Sequence, residues 1–446
     1  MQRSNWITIG LSFSSLFVHG AHAGDLLQTY RDALANDSQF AAARAQLDAG
    51  REKMPQGRAG LLPTVGLSAN TNWNDVELKR PASGSSQFNS NGYTLQLTQP
   101  LFRWQNLVTY DQSKLQVTQS EALFSQARQD LILRVSQAYF DVLLAQDTLT
   151  VAQGQKTAIA EQLEQAKRNF EVGTSTIVDT HEAQSRYDLT VAQEIAAQSD
   201  LDIKRQALRQ VIGKEPEALK ALKATVQISR PQPDDIQQWI SAAEQNSYTV
   251  QSQQAGLEIA AREIDRQRAG HYPTVDLVAS HSHSKGLGSG GVSSGGTSLG
   301  ISESNSNVIG LQVAVPLYQG GLVVSREREA AALKQKAVSD LESARRSAAL
   351  AASQAYLGVS SGTAQVKALE AALVSSQSAL DSNKLGYEVG VRINIDVLNA
   401  QQQLYTTRRD LFKARYDTLL AQLRLKAASG ALGEDDVQQI NALLEP

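Results

Sequence analysis

Cysteine is absent from all 446 residues. That single absence removes disulfides, thiolate metal sites, a cysteine nucleophile and a lipid-bearing cysteine at a mature N-terminus. A strong charge of either sign is missing too. Lys and Arg number 42 against 45 Asp and Glu, a formal net charge of −3, which excludes a basic nucleic-acid binder and a strongly acidic disordered chain. Aromatic residues are scarce at 6%, so the places where they gather carry information. Beyond the first 23 residues no apolar run approaches the roughly 20 residues that span a bilayer as a helix. If the remaining chain crosses a membrane, it must do so by strands.

Residues 1–23 read as a secretory signal. Arg3 is the positive region, Trp6 to Val18 the mostly apolar core, and Ala21, His22 and Ala23 an A-x-A cleavage site before Gly24. A membrane anchor is the weaker alternative, because that core is too short to span. An exported chain without cysteine is also no small disulfide scaffold.

Proline is the next scarcity. Of ten prolines, none lies between Pro100 and Pro216 and none between Pro316 and Pro446. A proline inside a helix costs about 3 kcal/mol. Residues 104–172 and 322–389 are therefore free to be very long helices, each about 100 Å at 1.5 Å per residue. Leu404, Thr407, Leu411, Ala414, Thr418, Ala421, Leu425 and Ala428 recur at alternating steps of three and four, a heptad seam rich in small residues. Phe124, Ala127, Leu131, Val135, Ala138, Val142, Ala145 and Leu149 come close to the same pattern. Long coiled helices follow, although an ordinary solvated coiled coil has the same seam.

What the chain does contain is a duplication. Asp25, Arg58 and Pro63 find counterparts in Asp235, Arg268 and Pro273 at an offset of 210. Leu95 to Phe102 (LQLTQPLF) matches Leu311 to Tyr318 (LQVAVPLY) at 216, and Ser136, Phe170, Asp179 and Gly213 match Ser353, Tyr387, Asp396 and Gly430 at 217. So small a drift means one unit copied, with the same elements in the same order. The expected organisation is a signal (1–23), a first repeat (24–234) and a second (235–446). The first repeat is expected to hold a helix, strands at about 61–79 and 91–102, the long helix 104–172, a tip turn, a helix over 178–212 and an equatorial segment 213–234. The second is expected to hold a helix, strands at about 272–284 and 306–318, the long helix 322–389, a tip turn, a helix over 396–429 and an equatorial tail 430–446.

The strands show in period-two patterning. Val65, Leu67, Ala69, Thr71 and Trp73 alternate with polar neighbours, and Ile309, Leu311 and Val313 do the same, as do Leu95 and Leu97, and Val275, Leu277 and Ala279. Polar loops over 75–90 and 284–306 join them. Four strands cannot close a barrel, and an open edge in a bilayer leaves backbone groups unpaired, so closure requires several chains: two give eight strands, three twelve, four sixteen. Tyr93, Phe102, Trp104, Tyr272 and Tyr318 are expected at the strand ends, where an aromatic girdle sits. A soluble sheet has the same periodicity, but here the helices flank the strands end to end and cover no face.

These pieces together resemble the TolC family of outer-membrane export channels over essentially all of residues 24–446. The resemblance is carried by GLLPTV (Gly60 to Val65) and GHYPTV (Gly270 to Val275), by QPLF (Gln99 to Phe102) and VPLYQGG (Val315 to Gly321), and by the tip segments VGTSTIVD (Val172 to Asp179) and VGVRINIDVLN (Val389 to Asn399). It implies a mainly α fold with a small β part. In that family a homotrimer forms a twelve-stranded barrel in outer-membrane lipid and a twelve-helix periplasmic tunnel, which meets a periplasmic adaptor and an inner-membrane ABC exporter or proton-driven pump. It further implies adaptor docking at Val172, Gly173, Val389 and Gly390, a gate latch of Asp179, Tyr387 and Arg392, and a pore constriction at Asp396 and Asn399. Two departures from the family pattern stand out. Asn399 replaces an acid found in some members, and Val178 replaces a Thr that helps hold the Arg. The chain also stops without the longer tail of some relatives. The missing lipid-acceptor cysteine leans toward the TolC-like secretion branch.

Other motifs are weak. Gly286, Gly288 and Gly291 satisfy G-x-G-x-x-G but lie in a Gly/Ser-rich stretch with no helix after it, so a loop is expected. His281 and His283 fall on one face of a strand without an evident third ligand, which favours surface or barrel-wall histidines over a metal pair. No G-x-S-x-G elbow accompanies the serines, and no nucleotide or ion motif is present. No enzyme, cofactor or nucleic-acid partner is expected. The reading is a passive export duct for protein or small toxic compounds; a non-conducting periplasmic or surface coiled-coil scaffold is the alternative.

Overall fold

The computed structural model describes residues 24–78, 84–223, 225–226, 228–289 and 299–445. The proposed signal at 1–23 lies outside them. The first repeat runs α1 (Leu26–Asn36), α2 (Ser38–Arg51), α3 (Lys53–Ala59), β1 (Thr64–Leu78), β2 (Gly84–Phe102), α4 (Trp104–Glu171) and α5 (Ile177–Ile212). The second runs α6 (Ile236–Asn246), α7 (Tyr248–Arg268), β3 (Thr274–Ser289), β4 (Leu299–Ala314), α8 (Leu322–Glu388) and α9 (Asn394–Ala428), followed by α10 (Glu434–Asn441).

The proline-free stretches are indeed single helices, α4 of 68 residues and α8 of 67. Each folds back against its shorter partner, α4 on α5 and α8 on α9, while α7 lies along both α4 and α8. Leu404, Thr407, Leu411, Ala414, Thr418 and Leu425 of the seam are buried. The opening helix of each repeat is broken where continuity was expected. Asp37 breaks the first: its backbone is extended and its carboxylate accepts from Phe40 N at 2.6 Å and from Arg134 Nη2 at 2.8 Å, so it caps α2 instead of continuing α1. Ser247, its counterpart at offset 210, divides α6 from α7.

The four strands form one antiparallel sheet in chain order. Register puts Val65 opposite Leu97, Leu97 opposite Ala279 and Ala279 opposite Ile309, so one face is a continuous apolar band. In a single protomer its outer strands are bare, with Leu67 72% and Ile309 78% exposed, while Leu97 and Ala279 between them are half-buried. The opposite face carries Ser68, Asn70, Gln96, Ser280 and Ser282. Among the described residues, both outer edges, β1 and β4, are unpaired within the protomer. The strand limits differ from expectation: β2 starts at Gly84, β3 continues to Ser289 and β4 starts at Leu299. Backbone pairing runs on through Ser, Asn and Gly, where polar residues on both faces leave no periodicity to read. At its other end β4 stops at Ala314, because Pro316 donates nothing to a ladder. Tyr93 consequently sits mid-strand, opposite Ala69 and His283, and is not at a strand end. Trp104 and Tyr272 do meet at the sheet's base, 6.5 Å apart and edge to face. There too Arg103 grips the buried Asp276 through two bonds of 2.8 and 2.6 Å, tying the end of β2 to the start of β3.

The main apolar core lies midway along the helices. Leu26 and Tyr30 of α1, Leu131, Val135 and Tyr139 of α4, Leu208 of α5 and Leu419 of α9 are fully buried there. The segments after α5 and α9 wrap this core. Leu222 bridges to Leu444, Gly24 N donates to Ala218 O, and Tyr139 OH donates to Lys220 O at 3.0 Å. Among the described residues no helix is long and apolar enough to cross a membrane.

Candidate functional site

The hairpin tips, at the far end of the helices from the sheet, gather the polar residues singled out above. Both turns use a left-handed glycine, Gly173 and Gly390, each with φ +78°. At Gly386 and Asn169 the last helical carbonyls accept two amides from beyond the turn: Val391 and Arg392 N at Gly386 O, Thr174 and Ser175 N at Asn169 O. A side chain at Gly173 or Gly390 would meet nothing within 4 Å, so glycine is required there by backbone conformation, not by crowding. Val172 and Val389 beside them are 73% and 65% exposed.

Asp179 and Asp396 occupy the same place, the third residue of α5 and of α9, yet they do different things. Thr176 precedes α5, so Asp179 closes a capping box: its Oδ2 accepts from Thr176 N at 3.0 Å and Thr176 Oγ1 at 2.9 Å, and Asp179 N donates to Thr176 Oγ1. Ile393 precedes α9 and has no oxygen to offer. Asp396 is left to pair with Arg392, Nη1 to Oδ2 3.6 Å, on a partly exposed surface. Tyr387 OH accepts from Asn169 Nδ2 at 3.0 Å.

The expected latch of Asp179, Tyr387 and Arg392 is therefore not joined within one protomer: Asp179 and Arg392 each have a local partner, Thr176 and Asp396, and Tyr387 meets Asn169 of the first hairpin. Asn399 likewise does not stand free, since its Oδ1 accepts from Arg186 Nη2 at 3.1 Å while Arg186 Nη1 donates to Gln402. Val178, at the departure from the family pattern, is 65% exposed. Sequence reading missed Asn169, Arg186 and a buried amide pair, Gln162 and Asn394, whose bond measures 2.6 Å. The offset of 217 held a clue: it matches Asn169 to Gly386 and Ser175 to Arg392, so the two tips were bound to use different chemistry. Gly386 matters for Arg392, whose Cγ would lie 2.7 Å from a Cβ placed there.

The other motifs fall in the sheet. Gly286 and Gly288 are strand residues of β3, opposite Ser302 and Gly300, where a loop was expected; Gly291 lies outside the described residues. His281 and His283 share a face, with Nδ1 atoms 2.6 and 2.8 Å from Asn307 and Asn305 Oδ1. Tyr93 stacks on His283 at 5.4 Å. Among the described residues no three His, Asp or Glu converge as metal ligands would.

The model of the family described as outer membrane efflux protein matches residues 29–214 and 239–431. The chain is 35% identical to the outer membrane protein TolC of Escherichia coli K12, over 99% of its own length and 89% of that protein's. It is 32% identical to the proteases secretion protein PrtF of Dickeya chrysanthemi, over 98% and 94% of the two chains. The crystal structure of the outer membrane protein VceC from Vibrio cholerae superposes with a TM-score of 0.77 at 18% identity, covering 91% of this chain and 96% of that one.

Proposed function

Because this chain belongs to the outer membrane efflux protein family, an outer-membrane channel for tripartite efflux or secretion with a large periplasmic tunnel, we propose that three copies form a passive duct gated at its tips. The observation that carries this reading is the sheet. Its apolar face is exposed along the outer strands, its two edges are open, and it stands at the end of paired helices about 100 Å long, where among the described residues no helix covers it. In hydrocarbon such edges must be paired. Three copies supply twelve strands, and their polar faces then line the lumen.

The chain brings no nucleotide or ion motif, so an inner-membrane pump, an ABC exporter or a proton-driven one, supplies the energy. A periplasmic adaptor joins that pump to Val172, Gly173, Val389 and Gly390. Asp396 rings the narrow mouth, with Asn399 adding no charge. Arg392 and Tyr387 act with Asp179 as a latch between neighbouring hairpins, with Asp179 Oδ1, which the capping box does not use, as the acceptor for an arginine from an adjacent copy.

Two outcomes are expected. Mass measurement in detergent should give a trimer, and planar-bilayer recording should give discrete single-channel currents. A stable monomer without conductance would favour the scaffold. The latch is expected to be weak, since the Arg392 side chain is 59% exposed and a charge contact in water is worth about 0–1 kcal/mol after screening. Arg392→Ser with Tyr387→Phe should raise conductance or antibiotic leakage only a few-fold. Wild-type values in both assays would leave the two residues as capping groups.

A further inference from the structure

Beneath the exposed tip lies a polar contact of another kind. Asn394, the first residue of α9, is 1% exposed, and Gln162 of α4 is 6% exposed. Gln162 Nε2 donates to Asn394 Oδ1 at 2.6 Å, and Asn394 Nδ2 reaches toward Asp179 O at 3.4 Å. The neighbouring buried cluster is aliphatic: Ile159, Leu163, Ala166, Ala183 and Leu398. One asparagine thus ties the start of α9 to both helices of the first hairpin.

We propose that this buried amide pair, and not the exposed Arg392 pair, is the principal restraint holding α9 against the first hairpin in the closed tip. The inference rests on the duct reading and names a gating residue pair for it. Three observations carry it. First, an amide among aliphatic side chains has no water to fall back on, so pulling α9 away from α4 leaves both amides unsatisfied until solvent enters. Arg392 and Asp396 lie in water already, and their separation forfeits little. Second, Arg392 and Asp396 belong to one chain end, four residues apart, so their bond does not cross between hairpins; the Gln162 bond crosses 232 residues. Third, the pair exists in only one repeat. At the offset of 217 Asn394 matches Ile177 and Gln162 matches Ala379, and Ile177 is 44% exposed. A polar residue in the aliphatic position of one copy alone is not a relic of the shared helical pattern. It makes the second hairpin the one that is held.

The restraint is between neutral groups. Its strength should therefore be insensitive to salt, whereas the Arg392 contact is screened.

The test is a double-mutant cycle read by single-channel recording, with trimer mass as the control for assembly. Asn394→Ala and Gln162→Ala should each raise open probability about tenfold, ~1.4 kcal/mol. The double variant should exceed neither by more than about twofold, because the bond is lost once. Arg392→Ser should fall below both and lose its effect in high salt. If Asn394→Ala assembles poorly, Gln162→Met, which keeps the volume and removes the amide, reads the same bond. Wild-type gating in Gln162→Met, or additive effects in the cycle, would overturn the proposal. Absence of any conductance from the wild-type trimer would instead overturn the duct reading beneath it.

Discussion

Export is expected to stop when Gly173 and Gly390 are both replaced by a bulky residue such as Val or Trp, with trimer level and membrane insertion unchanged. Both glycines sit at φ +78°, a region that costs an ordinary L-residue about 1–2 kcal/mol and a β-branched one more. The turns lie outside every apolar cluster of the fold, so their distortion removes no core contact. The lesion is confined to the tip surface that Val172 and Val389 already present to solvent. Asn tolerates the left-handed conformation, so Gly173→Asn with Gly390→Asn separates two demands. Recovery of export with Asn would mean that the turn's shape matters; continued loss would mean that the partner approaches the bare backbone. Full export with Val or Trp at both positions would count against docking at the tips.

The second large effect concerns ions. In the trimer proposed above, a threefold axis would place three Asp396 carboxylates around the narrow mouth, where low-dielectric walls focus their field. Multivalent cations added on the periplasmic side should block the wild-type channel, and Asp396→Ala should lower their potency at least tenfold. The Arg392 guanidinium, 3.6 Å away, partly offsets that charge. Arg392→Ser should therefore strengthen the block while Asp396→Ala weakens it. Opposite signs from two partners of one ion pair are what an electrostatic mouth demands. Equal block in all three proteins would place Asp396 outside the lumen and leave it as the first-turn anion of α9, where a carboxylate suits the helix dipole.

Much of the architecture was legible in the sequence because it is written along the chain. Missing prolines left α4 and α8 free to run for 68 and 67 residues, and the copied landmarks at Pro63 and Pro273 or Asp179 and Asp396 announced two equivalent units. Period-two patterning located the apolar feet of the strands. It lost β2 before Asn91, where serine and asparagine on both faces erase the alternation, and β3 after Ser284, where Gly286 and Gly288 leave one face without side chains, while backbone pairing continues.

The tip chemistry was only half visible. Resemblance directed attention to Asp179, Tyr387, Arg392, Asp396 and Asn399, and all five do lie at the hairpin ends. Their partners came from elsewhere: Thr176 for Asp179, Asn169 for Tyr387, Arg186 for Asn399. The capping box was readable in principle, as a threonine three residues before an aspartate, and Ile393 in the matching place foretold that Asp396 would be free to pair differently.

By itself, then, the sequence determined the repeat, the long helices, the two-faced strands and the need for more than one chain, because each follows from periodicity relative to the segment's own axis. Tertiary structure alone decided which side chains meet. A helix contributes one direction per residue, but whether Gln162 faces Asn394 depends on how two helices about 100 Å long rotate and slide against each other, and a shift of one residue turns a side chain by about 100°. That rotation is fixed by the sum of many small apolar contacts along the whole length, so no short motif at the tip records it.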